Sequence, residues 1–146
     1  MSAAKTVMAR FVAIAEARLI DKTKNHQRYK REQRKFVKDT INKEFLQKFG
    51  KDEDSLRAWQ GLCSAIGISR VDKLKSVSEC RKALKGVHVN IVDLVDAANA
   101  KTTICETFAR KKLLAEYTAE TDKIYPLKAA KENPLLHQFL VKLACK

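Results

Sequence analysis

Glycine and proline are scarce, four and two in 146 residues. Helix interiors tolerate neither, so a chain this poor in both suits an all-helical fold. The four cysteines, Cys63, Cys80, Cys105 and Cys145, lie far apart with no C-x-x-C or Cys/His ligand spacing, which argues against a zinc site. Cys63 and Cys80 fall on apolar helical stripes, where a free thiol acts as a small hydrophobe, and buried reduced cysteines are expected ahead of disulfides. His26, His88 and His137 have no second histidine at i, i+4, so no metal is expected. There is no G-x-S-x-G, no phosphate-binding loop and no dinucleotide fingerprint, so no cofactor and no catalytic residue are assigned. A Cys–His pair assembled only by folding, such as Cys80 with His88, stays open as the route to an enzyme.

No apolar run reaches the eighteen residues or so of a membrane span. Arg10 and Glu16 interrupt the only apolar stretch near the start, so no secretory signal is read. The first eighteen residues are amphipathic like a mitochondrial presequence, but Glu16 and Asp21 count against that reading. Cytoplasm or nucleus is the expected location.

What the chain has in excess is positive charge: 30 Lys and Arg against 17 Asp and Glu, a net +13. The excess is concentrated. Residues 1–50 hold 13 basic against 5 acidic side chains, whereas residues 51–100 hold 8 against 7. Its centre is Lys22-Thr-Lys-Asn-His-Gln-Arg-Tyr-Lys-Arg-Glu-Gln-Arg-Lys-Phe-Val-Lys38. Such a density attracts polyanions over roughly 8 Å at physiological salt. With 45% apolar and 32% charged residues the composition is that of a globular protein, long enough to bury a real core.

The periodicity predicts six or seven helices and no strands. Residues 5–48 form one long helix, or two joined near Asp21–Asn25. The first part sets Val7, Phe11, Ile14, Arg18 and Leu19 at helical spacing. The second is polar to Gln33, then apolar at Phe36, Val37, Ile41, Phe45 and Phe49, so its end should anchor and its beginning project into water. Leu56, Trp59, Leu62, Cys63 and Ile66 mark a core helix closed by Gly67. Ser76-Val-Ser-Glu79 is a capping box for a short helix ending near Gly86, and Asn90 is an N-cap for Ile91, Leu94, Val95 and Ala98. A helix over about Phe108–Thr118 should bury Leu113, Leu114 and Tyr117. Pro126 begins a short turn through Ala130. Asn133-Pro134 opens the last helix, with Leu136, Phe139, Leu140 and Leu143. The expected architecture is all-α: a long basic N-terminal helix or helix pair over 1–49 and a compact helical domain over 50–146.

On a helical projection Lys24, Arg28, Arg31, Lys35 and Lys38 share an arc of about 80°, flanked by Lys30 and Arg34. Cations in register at that spacing can track a phosphate backbone. A solvated helix face and a dock for an acidic protein are the competing readings. The helices around Gly86 resemble a helix-turn-helix, but the second carries Asp93 and Asp96 and no Lys or Arg before Lys101. Phosphate would repel it, so a structural hairpin is expected there. Trp59 is a core residue whose indole N–H needs an internal partner.

From about Leu56 to Lys131 the chain resembles a group of small, uncharacterised fungal proteins. The likeness rests on Trp59-Gln-x-Leu-Cys63, Ile66-Gly-Ile68, Cys80-Arg-Lys-Ala-Leu-Lys85, the run from Val87 to Asp96, Leu114-x-x-Tyr-Thr118, Lys123-Ile-Tyr-Pro126 and Ala130-Lys131. Relatives of that kind have Thr-Gly-Lys where this chain has Thr121-Asp122-Lys123. The resemblance implies no activity, cofactor or catalytic residue. The functional expectation is therefore a non-enzymatic intracellular protein that contacts nucleic acid or another polyanion, without base discrimination, through the basic helix. The alternative is a protein-interaction or self-assembling helical module, with Val7, Phe11 and Ile14 as its apolar seam.

Overall fold

The computed structural model describes residues 5–103 and 107–144, with side chains to residue 141. Cys105, Cys145 and the Leu143 side chain lie outside the described residues. Among these, seven α-helices form a bundle: α1 (Val7–Ala17), α2 (His26–Phe49), α3 (Leu56–Ile66), α4 (Val77–Ala83), α5 (Ile91–Asn99), α6 (Lys111–Thr121) and α7 (Pro134–Ala144). Two 3₁₀ turns, Val71–Lys73 and Leu127–Ala130, complete it. The extended stretch at Val87–Val89 makes a single antiparallel bridge, His88 to Phe108.

Residues 5–48 are two helices. α1 ends where Arg18 and Leu19 turn, and Leu19 adopts a left-handed φ of 56°. That turn throws Leu19 outward, 86% exposed, and brings Ile20 into the interior in its place. The Asp21 carboxylate then accepts the N–H groups of Thr23 and Lys24, at 2.8 and 2.7 Å. This tight turn returns the chain as α2, antiparallel to α1. Arg10 near the start of α1 pairs with Glu44 late in α2, and Arg18 at its end lies 3.7 Å from Glu32.

The start of α2 is therefore not free-standing. α1 covers one side of it with Phe11, Ala15 and Ile20 around Tyr29, the Phe11 and Tyr29 rings meeting edge to face at 5.1 Å. Further along, Val37, Ile41 and Phe45 enter the main core beside Val7, Trp59, Leu62, Val92, Leu94 and Phe139. Burying side chains of this size contributes about 1.5–3 kcal/mol each before entropy is counted.

The capping positions behave as their side chains dictate. Ser55, Ser76 and Asn90 each accept a backbone N–H at the N-terminus of their helix, and Gly67 takes the left-handed C-cap with φ 97°. Glu79 differs in one detail from the expected box: its carboxylate accepts the N–H of Lys75 at 2.7 Å. Asn133 caps α7 through Oδ1 to the N–H of Leu136 while its amide donates to the Gly50 carbonyl. This ties the start of α7 to the end of α2. The Trp59 indole donates to the Glu53 carbonyl at 2.8 Å, with the Arg81 guanidinium over the ring.

α6 departs from expectation. It begins at Lys111 and buries none of its residues; Leu113 is 43% exposed, and Leu114 and Tyr117 are only half-buried. Polar tethers hold it instead. The Tyr117 hydroxyl donates to Asp93, and Asn90 donates to Thr118 Oγ1.

Candidate nucleic-acid interface

α2 positions the cations. Its inner side in the first half is Tyr29, Gln33 and Phe36, which face α1. At 100° per residue, Arg28, Arg31, Lys35 and Lys38 fall on the opposite side of the rod, within about 80° of one another. All four are exposed. Arg28 to Lys38 spans ten residues, or about 15 Å of rise. None of the four pairs with a carboxylate among the described residues, and neither does exposed Arg34 on the flank. Asp39 stands at the edge of the arc, also without an ion pair among the described residues. A trough lined by His26, Gln27, Lys30, Arg31 and Arg34 runs along the same stretch.

Two of the expected cations stand apart. Lys24 precedes the helix, in the turn held by Asp21, so the projection that put it on the arc does not apply to it. Lys30 is taken up within the molecule: its ammonium lies 2.6 Å from the Asp122 carboxylate at the end of α6, both side chains 28% exposed. The local sequence contains no carboxylate for Lys30, and only the return of the chain through α6 supplies one.

Sequence reasoning missed three further cations. The Leu127–Ala130 turn packs beside α2, and a groove of about 660 Å³ between them is lined by Lys38, Lys51, Lys128 and Lys131 together with Asp39 and Glu132. The three additional lysines are exposed. They are separated from Lys38 by 13 to 93 positions, and no periodicity links them.

The rest of the molecule uses its charges internally. Glu44 accepts two hydrogen bonds from the Arg10 guanidinium at 2.7 Å and one from the Asn99 amide at 2.7 Å. The Arg10 hydrogen bond holds the Glu44 carboxyl below its ordinary value despite its burial. Asp96, raised by burial, accepts the N–H of Val7 at 2.9 Å and so caps α1. Asp93 accepts from Lys123 at 2.7 Å and from the Tyr117 hydroxyl. Burial pulls the Lys123 ammonium down, but the hydrogen bonds with Asp93 and Tyr117 outweigh it and the net shift is upward. The two carboxylates that make α5 unfit to face DNA are thus structural, and α5 itself is a core helix through Ile91, Val92, Leu94, Val95 and Ala97.

The alternative sites have poorer chemistry. Cys63 and Cys80 are fully buried, the Cys63 thiol 3.7 Å from the Cys80 carbonyl oxygen. Burial pushes the Cys63 thiol up to about 12 and raises Cys80 as well, so neither of these two is a ready thiolate near neutral pH. His88 is buried, and its Nδ1 has no hydrogen-bond partner among the described residues. The groove under α6, about 420 Å³ between Leu114, Ala119, Val89, Ile124 and Leu140, is mostly apolar, and its Lys123 is neutralised by Asp93. Among the described residues no three His, Cys, Asp or Glu side chains come together to hold a metal. No helix among them is long and apolar enough to cross a membrane. Val7 and Phe11 of the expected self-assembly seam are buried within their own chain, and Ile14 is half-buried.

No family model, no curated protein and no solved structure matches the chain.

Proposed function

We propose that this protein is a non-enzymatic binder of nucleic acid, acting by phosphate contact without base discrimination through Arg28, Arg31, Lys35 and Lys38, with Arg34 on the flank. One observation carries the reading. Four cations share one exposed side of a helix and are left without carboxylate partners among the described residues, while Arg10, Lys30 and Lys123 elsewhere are closely paired. Unpaired cations in register exchange condensed counterions for phosphates, a contact that needs no base edge. A nucleic-acid role agrees with the cytoplasmic or nuclear location expected from the sequence.

The test is binding of a mixed-sequence duplex across a salt series. The logarithm of affinity should fall steeply with the logarithm of salt, and Arg28→Ala/Arg31→Ala/Lys35→Ala/Lys38→Ala should flatten the slope by about 0.9 per contact removed. Binding that ignores salt, or that is the same in the fourfold variant, overturns the reading.

A further inference from the structure

The groove between α2 and the Leu127–Ala130 turn continues the basic side of α2 beyond Lys38, and we infer that it receives the backbone of a single-stranded nucleic acid continuing from the α2 ridge. This rests on the nucleic-acid reading above and specifies the form of the ligand. Lys38 belongs to both surfaces: it closes the ridge and opens the groove. From it Lys38, Asn42 and Leu46 follow at four-residue spacing down one wall, and Lys51, Lys128 and Lys131 complete the cationic rim. Four lysines against Asp39 and Glu132 leave the rim net positive.

The lining differs from the ridge. Leu46, Pro126 and Ala129 add apolar surface to it, and Leu46 is 48% exposed. The Tyr125 hydroxyl donates to Asn42 Oδ1, which leaves the Asn42 NH₂ as a neutral donor in the wall. Lysines for phosphates, aliphatic surface for a base or sugar and one amide donor suit a strand whose bases are unpaired and turned out. A duplex fits less well. Its paired strands are too wide to enter a recess of about 660 Å³ beside the helix, so it can lie along the ridge but not settle into the groove. A single strand can follow the same side of α2 past Lys38 and occupy both.

The probes are an oligothymidine and a mixed-sequence duplex, each titrated with the full chain across a salt series. In Lys51→Ala/Lys128→Ala/Lys131→Ala the oligothymidine slope should flatten by about 0.7 per lost contact, about 2 in all, with duplex binding unchanged. The substituted residues are exposed, so an unaltered thermal melt should accompany the change. Leu46→Ser should weaken oligothymidine several-fold without touching the slope. An oligothymidine slope unchanged in the triple variant, while the ridge variant still loses binding, overturns the groove and leaves the ridge standing. Equal losses for duplex and single strand overturn the preference for unpaired strands. Loss of both probes' salt dependence in the parent protein sinks ridge and groove together. Poly-glutamate binding abolished by the triple variant, with oligothymidine intact, makes the groove a dock for acidic protein and also overturns the inference.

Discussion

The two faces of α2 carry similar residues to opposite ends. On the inner side, Glu44 meets Arg10 and Asn99, and each charge is matched within hydrogen-bond distance. On the outer side, Arg28, Arg31, Lys35 and Lys38 are exposed and make no ion pair among the described residues. Place in the chain does not separate the two groups, since both belong to one helix of 24 residues. What separates them is whether another element arrives with an opposite charge. α1 and α5 bring Arg10 and Asn99 to the inner side; among the described residues no element brings an ion-pair partner to Arg28, Arg31, Lys35 or Lys38 on the outer one. A paired charge fixes geometry, and an unpaired row remains available to a partner.

The comparison is most severely tested on the structural side. Asn90→Ala removes the cap of α5 and strands Thr118 and the Lys123 carbonyl. It should cost about 3 kcal/mol in denaturant unfolding, from a lost cap plus unsatisfied groups. The ridge should behave in the reverse manner. Arg28→Ala/Arg31→Ala/Lys35→Ala/Lys38→Ala should lower duplex affinity on the order of a hundredfold at low salt while the melting temperature stays put. A fourfold variant that unfolds easily would show the ridge to be structural after all.

Glu44→Ala should destabilise by roughly 2 kcal/mol, because it leaves a partly buried guanidinium and Asn99 without their acceptor. The pair also predicts a pH dependence. Arg10 holds Glu44 below its ordinary value of 4.5, so the folded state binds that proton less readily than the unfolded chain. The stabilisation is complete above the ordinary glutamate range and is lost as pH falls through the lowered value. An acid titration of unfolding should therefore lose this component in Glu44→Gln, and an identical acid limb in parent and variant would refute it.

The smallest effect is the most direct conversion of one charge class into the other. Asp122 sits in a left-handed conformation, φ 58°, which asparagine adopts readily. Asp122→Asn should cost no more than about 1 kcal/mol and release Lys30 beside Arg31 and Arg34. Duplex affinity should rise slightly and the salt slope steepen by up to about 0.9. A lower affinity would mean that Lys30 is of no use to the ridge even when free.

Much of the fold was legible from sequence because the signals are local. Ser76, Asn90 and Asn133 announce helix starts through side chains that bond their own backbone neighbours. Trp59, Leu62, Cys63 and Ile66 announce a buried side through spacing. The misreadings are non-local. Leu114 and Tyr117 have the spacing of a buried stripe, yet α6 stands across a groove from the core and is tethered by Asp93 and Asn90. Val7 and Phe11, apolar enough for a seam between chains, pack inside their own chain because the turn at Leu19 folds α1 back.

The amino-acid sequence alone determined the all-helical class, most of the helix starts and the row Arg28, Arg31, Lys35 and Lys38, because each depends on residues within a few positions of one another. Only the tertiary structure decided that Lys30 would be neutralised by Asp122, that Asp93 and Asp96 would serve the core, and that Lys51, Lys128 and Lys131 would gather beside Lys38. Electrostatic attraction is screened over about 8 Å at physiological salt, and residues far apart in the chain reach that range only after the helices have packed.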